Sequence, residues 1–218
     1  MSQAEMLFED REDAGRRLAE RLRHYADENP VVFALPRGGV PVGFEVSRSL
    51  NAPLEVIVAR KLGAPGQPEF GIGAVALGSV RVLNERAVQA LGIPDDYLDR
   101  IAEKETAEAE RRLRLFRGDL PYPDLSGRTA ILVDDGLATG VTARAALFAL
   151  RRMEPARLVL AVPVCAPQTL DLLRSETDDL VCLLTPADLE AVGLWYRNFT
   201  QVTDEQVIRL LEESRHSE

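Results

Sequence analysis

One short run of this chain gathers residue types that can do chemistry together: Ile131-Leu132-Val133-Asp134-Asp135-Gly136-Leu137-Ala138-Thr139-Gly140-Val141-Thr142. It reads as an apolar strand, two acids, a small-residue loop and the start of a helix. The loop leaves several backbone N–H groups free at a helix N-terminus, where the dipole favours an anion. Thr139 and Thr142 add hydroxyl donors. A phosphate suits that place. Two carboxylates cannot also hold phosphate, because like charges repel. They suit sugar hydroxyls or a metal ion. Phosphate beside vicinal hydroxyls describes a ribose 5-phosphate.

Other readings of the run fail on spacing. A P-loop requires a lysine after its second glycine, and none stands here. A phosphatase of the haloacid dehalogenase type needs one residue between its two aspartates, whereas Asp134 and Asp135 are adjacent. A dinucleotide fingerprint drawn from Gly71, Gly73 and Ala76 follows a Gly/Pro-rich stretch rather than a strand. The plain alternative is an ordinary polar strand-to-helix turn.

The rest of the composition narrows the chemistry. Net charge is −9, and no basic stripe offers a track for a nucleic-acid backbone. His24 and His216, with Cys165 and Cys182, lie too far apart for zinc-ligand spacing or a Cys/His catalytic set. Both cysteines sit in apolar runs and read as reduced core residues. No apolar run approaches a membrane span, and Met1–Asp13 is polar and acidic without a signal-peptide core, so a cytoplasmic location is expected. A length of 218 residues suits a single domain over 1–218.

These groups must be held by a scaffold. Residues 10–26 predict an amphipathic helix capped by Asp10, with Ala14, Leu18, Leu22 and Tyr25 on its inner face. Val31–Leu35 and Leu54–Ala59 read as strands around a helix over Val40–Leu50. Residues 61–73, rich in Gly and Pro, read as a long mobile loop. Val75–Leu77 and Val80–Leu83 flank Gly78-Ser79 as a hairpin. A long charged helix over 95–117 carries a stripe of Leu98, Ile101, Ala102, Ala109, Leu113 and Phe116, suited to the core or to a partner subunit. Thr129–Val133 reads as a central parallel strand, followed by helix 141–153, strand 157–163, helix 167–174 and strand 179–184. Thr203 and Gln206 form a capping box for a last helix. This alternation predicts an α/β fold, a central parallel sheet flanked by helices.

The run from Ile131 to Thr142 resembles the phosphoribosyl pyrophosphate (PRPP) signature of type I phosphoribosyltransferases. The resemblance covers about residues 30–200 and implies a Rossmann-like topology with a small hood at about 185–200. It implies that Asp134 and Asp135 meet the ribose hydroxyls, directly or with Mg2+, and that Ala138, Thr139, Gly140, Val141 and Thr142 hold the 5′-phosphate. Leu35-Pro36-Arg37-Gly38-Gly39 looks like the pyrophosphate loop, with Arg37 bringing charge and a cis peptide expected at Pro36–Arg37. Arg60 and Lys61 match basic residues that reach pyrophosphate, and 63–71 matches a loop that closes over the reacting centre. Trp195, Tyr196 and Phe199 fall in the hood, where an aromatic ring either stacks on a base or fills the core. One departure stands out: Ala138 occupies a position that is Thr in many members and Asp in the 6-oxopurine salvage enzymes. The resemblance implies transfer of the 5-phosphoribosyl group from PRPP to a nitrogen acceptor, with a homodimer as the habitual state. A sensor of PRPP or nucleotides with little turnover, and a hydrolase of a phosphoribosyl compound, are the alternatives.

Overall fold

A computed structural model describes residues 7–78 and 80–216. The chain opens with α1 (Arg11–Leu22), whose N-terminus is capped by the Asp10 side chain accepting from the Asp13 N–H at 2.8 Å. A 3-10 turn over Arg23–Glu28 leads into β1 (Val31–Ala34), buried along its whole length. Then follow α2 (Gly39–Leu50), β2 (Leu54–Val56), β3 (Ala59–Ala64), β4 (Gln67–Ala76) and β5 (Val80–Leu83). Two helices come next, α3 (Glu85–Ala90) and α4 (Asp95–Arg117). The second half alternates β6 (Thr129–Val133), α5 (Val141–Arg151), β7 (Arg157–Val164), α6 (Pro167–Arg174) and β8 (Asp179–Leu184). The last helix, α7 (Asp204–Arg215), carries the Thr203/Gln206 capping box. No described helix is long and apolar enough to cross a membrane.

The main sheet is parallel in the order β2-β1-β6-β7-β8. Period-2 alternation sends its side chains to two cores. Val32, Ala34, Ile131, Val133, Val159 and Ala161 pack against α1, α2 and α7. Val31, Phe33, Ala130, Leu132, Leu158 and Leu160 pack against α5 and α6. The order reverses between β1 and β6: the first half of the chain builds outward from β1 to β2, the second from β6 to β8. A crevice opens at such a reversal, outside the carboxyl ends of the strands.

Two expectations need correction, and two more are resolved. The strand expected over Leu54–Ala59 ends at Val56, because the chain leaves the main sheet there and Ala59 starts a second one. The loop expected over 61–73 is instead most of an antiparallel ribbon, β3 against β4, extended by β5. Its glycines serve strand contact rather than disorder: a Cβ on Gly63 would lie 2.5 Å from the Pro68 carbonyl oxygen. In the turn expected at Gly78-Ser79, Gly78 takes φ +72° and Val80 pairs with Ala76, while Ser79 lies outside the described residues. The stripe on α4 is occupied within the chain. Leu98 packs with Leu62, Ile72 and Val75 of the ribbon, and Ala109 and Phe116 join the core beside α7. It therefore gives no argument for a second copy.

Residues 65–70 at the tip of the ribbon are exposed, and the β3–β4 register shifts on both sides of Gly63. Few buried contacts anchor such a tip. Its amides are expected to exchange with solvent faster than those of β6, and mass-spectrometric hydrogen exchange measures this. Protection at the tip equal to that of β6 would contradict a mobile ribbon.

Candidate active site

Parallel pairing of β1 with β6 sets Ala34 beside Val133. Two loops distant in sequence, 35–39 and 134–140, therefore leave neighbouring strand ends and line one crevice. Their approach is close enough to demand glycine. A Cβ on Gly38 would stand 2.0 Å from Asp135 Oδ2, and one on Gly39 would stand 2.8 Å from the Val133 carbonyl oxygen. The Pro36–Arg37 peptide is cis, as expected. The two closest atoms that a Cβ in Gly39→Ala would meet are backbone, Val133 O at 2.8 Å and Asp134 Cα at 2.9 Å, which a side-chain shift cannot clear. Overpacking of this kind costs about 1–3 kcal/mol, so the melting temperature is expected to fall by about 2–12 °C. Calorimetry that shows no fall would refute the close approach.

Beyond the acids, Leu137 is pinned to the chain at the end of β7: its N–H donates to Val164 O at 2.9 Å, and its carbonyl accepts from Ala166 N–H at 3.0 Å. Gly140 then turns the chain at φ +68° into α5, and no side chain caps that helix. Ala138 and Thr139 are exposed beside it, with the Ala138 carbonyl accepting from the Thr169 hydroxyl. The first N–H groups of α5, from Val141 and Thr142, lack intrahelical partners by geometry. The arrangement suits an anion at Ala138–Thr142.

Asp134 and Asp135 lie between this loop and the glycines. Asp134 Oδ1 accepts from the Asp135 N–H at 2.8 Å. Burial pushes the Asp134 carboxyl well above the usual carboxylate range, and the Asp135 charge adds to it. Burial also raises Asp135, while the guanidinium of Arg11 opposes that rise. Arg11 Nε donates to Asp135 Oδ2 at 2.8 Å, and Arg11 Nη1 to Thr200 O at 2.7 Å. Arg11 was not among the expected site residues. One signal for it exists in the sequence: it occupies the first turn of a helix, where the dipole disfavours a cation, so a carboxylate partner is called for.

The expected pyrophosphate residues are placed differently from one another. Arg37 leans toward the start of α7, with Nη1 3.6 Å from Asp204 Oδ1. Arg60 faces α4 and pairs with the buried Glu105 at 2.8 Å. Lys61 points to the opposite face, which it shares with its cross-strand partner Ala74 and the core beside α5. Its ammonium meets Glu69 at 3.0 Å. Thus Lys61, and not Arg60, lies on the side of the phosphate loop.

The hood residues also divide. Segment 185–200 contains a 3-10 turn, Val192–Trp195, and is stitched to the N-terminal segment. Phe8 N–H donates to Trp195 O at 2.9 Å, and Arg197 N–H to Phe8 O at 2.8 Å. Trp195 and Tyr196 are buried with Phe8, Ala14 and Val164. They fill a core rather than present a face, because the N-terminal segment covers them. The Tyr196 hydroxyl donates to Asp135 O, and burial raises its phenol, so it stays a neutral donor. Phe199 is partly exposed and carries the Arg11 guanidinium 3.8 Å above its ring.

Comparison with known proteins agrees with this geometry. The family model described as phosphoribosyl transferase domain matches residues 3–194. Two Mycobacterium tuberculosis proteins, named "Putative phosphoribosyl transferase Rv0571c" (strain ATCC 25618 / H37Rv) and "Putative phosphoribosyl transferase MT0597" (strain CDC 1551 / Oshkosh), are each 46% identical over 206 residues. The match covers 94% of this chain and 46% of theirs, so the chain spans about half the length of these curated relatives. The crystal structure of TT1426 from Thermus thermophilus is similar with a TM-score of 0.81 and 42% identity, covering 95% of this chain and 99% of that one.

Proposed function

The chain belongs to the phosphoribosyl transferase domain family, and from that premise we propose that it transfers the 5-phosphoribosyl group from PRPP to a nitrogen acceptor and releases pyrophosphate. The observation that carries this reading is the β1–β6 register. It brings an uncapped helix start, two largely desolvated carboxylates and a closely packed glycine loop to one crevice. In this reading the N–H groups of Ala138–Thr142 bind the 5′-phosphate. Asp134 and Asp135 accept from the ribose hydroxyls. The Pro36–Gly39 loop takes the pyrophosphate, with Arg37 and Lys61 turning to it from Asp204 and Glu69.

The reaction breaks the bond from C1′ to pyrophosphate oxygen and forms one from C1′ to the acceptor nitrogen. The protein's part is positioning and charge neutralisation. Closing the ribbon tip over the crevice would exclude water from the cationic sugar carbon.

Magnesium fits this donor set as a companion of the substrate. Among the described residues no group of three or more His, Cys, Asp and Glu side chains forms a cage. Two adjacent carboxylates beside a phosphate-bearing ligand suit a cation that keeps most of its waters. Asp134 and Asp135 would hold it, directly or through water, and it would neutralise the leaving pyrophosphate.

Pyrophosphate release from PRPP, assayed with a range of nucleobases and small amines, tests the reading. Acceptor-dependent release is expected. Tight PRPP binding with no release for any acceptor would mark a regulator that uses the same crevice.

A further inference from the structure

We propose that Arg11 is a positioning residue that locks the Asp135 carboxylate and the C-terminal edge of the hood into one unit facing the ribose. This rests on the PRPP reading of the crevice.

Arg11 lies on α1, 124 residues from Asp135 along the chain. It is only 9% exposed. A buried cation at the first position of a helix is opposed by the dipole, so its place must be secured by specific partners. It has three. Its Nε meets Asp135 Oδ2 at 2.8 Å, its Nη1 meets Thr200 O at 2.7 Å, and its plane lies over Phe199 at 3.8 Å. The guanidinium fork reaches a carboxylate and a carbonyl at the same time with fixed geometry, which a lysine ammonium cannot reproduce.

The partners explain what the contact does. Asp135 Oδ2 is wedged between Arg11 and the place where a Gly38 Cβ would stand, 2.0 Å away. The carboxylate is thereby held against the loop assigned to pyrophosphate. A carboxylate has four lone-pair positions, and Arg11 uses one oxygen. Lone-pair positions remain for a ligand, so the contact supports a site rather than blocking it. The second arm on Thr200 and the ring of Phe199 fix the end of the hood. Tyr196 ties the same strip to the Asp135 carbonyl. Without Arg11 the carboxylate is free to turn toward other donors, and the hood edge loses its link to the strand end.

The test compares Arg11→Met and Arg11→Lys with wild type by calorimetric titration, using PRPP with magnesium and, separately, inorganic pyrophosphate without added metal, whose binding then does not pass through the Asp135 carboxylate. Pyrophosphate carries no ribose. Loss of one charge-assisted contact behind the ribose carboxylate is expected to weaken PRPP binding in Arg11→Met by about tenfold or more, with pyrophosphate binding unchanged. Arg11→Lys, which keeps the charge but not the fork, should fall between Met and wild type for PRPP. It also answers the question if Arg11→Met does not fold. Equal loss of PRPP and pyrophosphate binding would show general damage and overturn the proposal. So would PRPP binding at the wild-type level in either variant. If wild-type protein binds no PRPP, the functional reading fails first and this inference with it. If wild type binds and the variants match it, only the role of Arg11 fails.

Discussion

Replacing Asp134 and Asp135 together by Asn is expected to weaken PRPP binding at least about 100-fold, on the basis of two lost charge-assisted contacts at about 1.5–3 kcal/mol each. Asn retains one accepting oxygen at each position, which sets the lower end of that range. The fold should survive. Both carboxyls are raised by burial, so in the folded protein each is harder to ionise than in the unfolded chain. A carboxyl shifted in that direction costs stability as pH rises through its folded value, and the cost disappears below the unfolded value of about 4. Asn carries no such charge, and its oxygen still accepts from Arg11. The double variant should therefore melt at or above the wild-type temperature at neutral pH, with the difference shrinking toward pH 4. Melting curves at several pH values, run beside calorimetric titrations, check both parts.

Hypoxanthine and guanine are expected to be poor acceptors. In the 6-oxopurine salvage enzymes, from which this chain departs at Ala138, an aspartate occupies that position and sits near the purine imidazole. There it can take the ring proton as the bond to C1′ forms. General-base help of this kind is worth about 10²–10⁴-fold in rate. Ala138 is exposed at the loop and offers no titratable group. Asp134 is turned to its own backbone neighbour and Asp135 to Arg11. Glu69 stands on the exposed tip of the ribbon and would have to arrive with it. Steady-state rates with hypoxanthine, guanine, xanthine, adenine, uracil and orotate at saturating PRPP decide the matter. Turnover of either 6-oxopurine at ordinary enzymatic rates, about 1–10³ per second, would refute the argument. Gain of that activity in Ala138→Asp would support it.

Local patterns carried most of what was legible before the structure. The strand Thr129–Val133 and the turn into α5 follow from a continuous apolar run and a small-residue loop. The bounds of α4 follow from unbroken helical spacing between Pro94 and Gly118. The ribbon β3–β4 was misread because glycine and proline weigh against strand when taken alone. Packing against α4 on one face and α5 on the other decides the matter instead. Short α3 escaped notice because it buries no residue. The meeting of Gly38 with Asp135 is a tertiary fact set by the β1–β6 register, and no local spacing encodes it. The partners of Arg11 are tertiary in the same way: on the sequence it is one arginine among several on a polar helix, and its first-turn position is the single local sign. The sequence leaves open whether Trp195 and Tyr196 stack on a base or fill the core, because nothing local reveals that Phe8 and Ala14 pack over them.

Calorimetric titration of the wild-type chain with PRPP and magnesium, beside the Asp134→Asn/Asp135→Asn variant, tests the central claim most directly. The expected result is saturable binding to the wild type, lost in a variant that still melts cooperatively. Wild-type protein that takes up no PRPP, or a double variant that binds it as tightly as wild type, would contradict a PRPP site between β1 and β6.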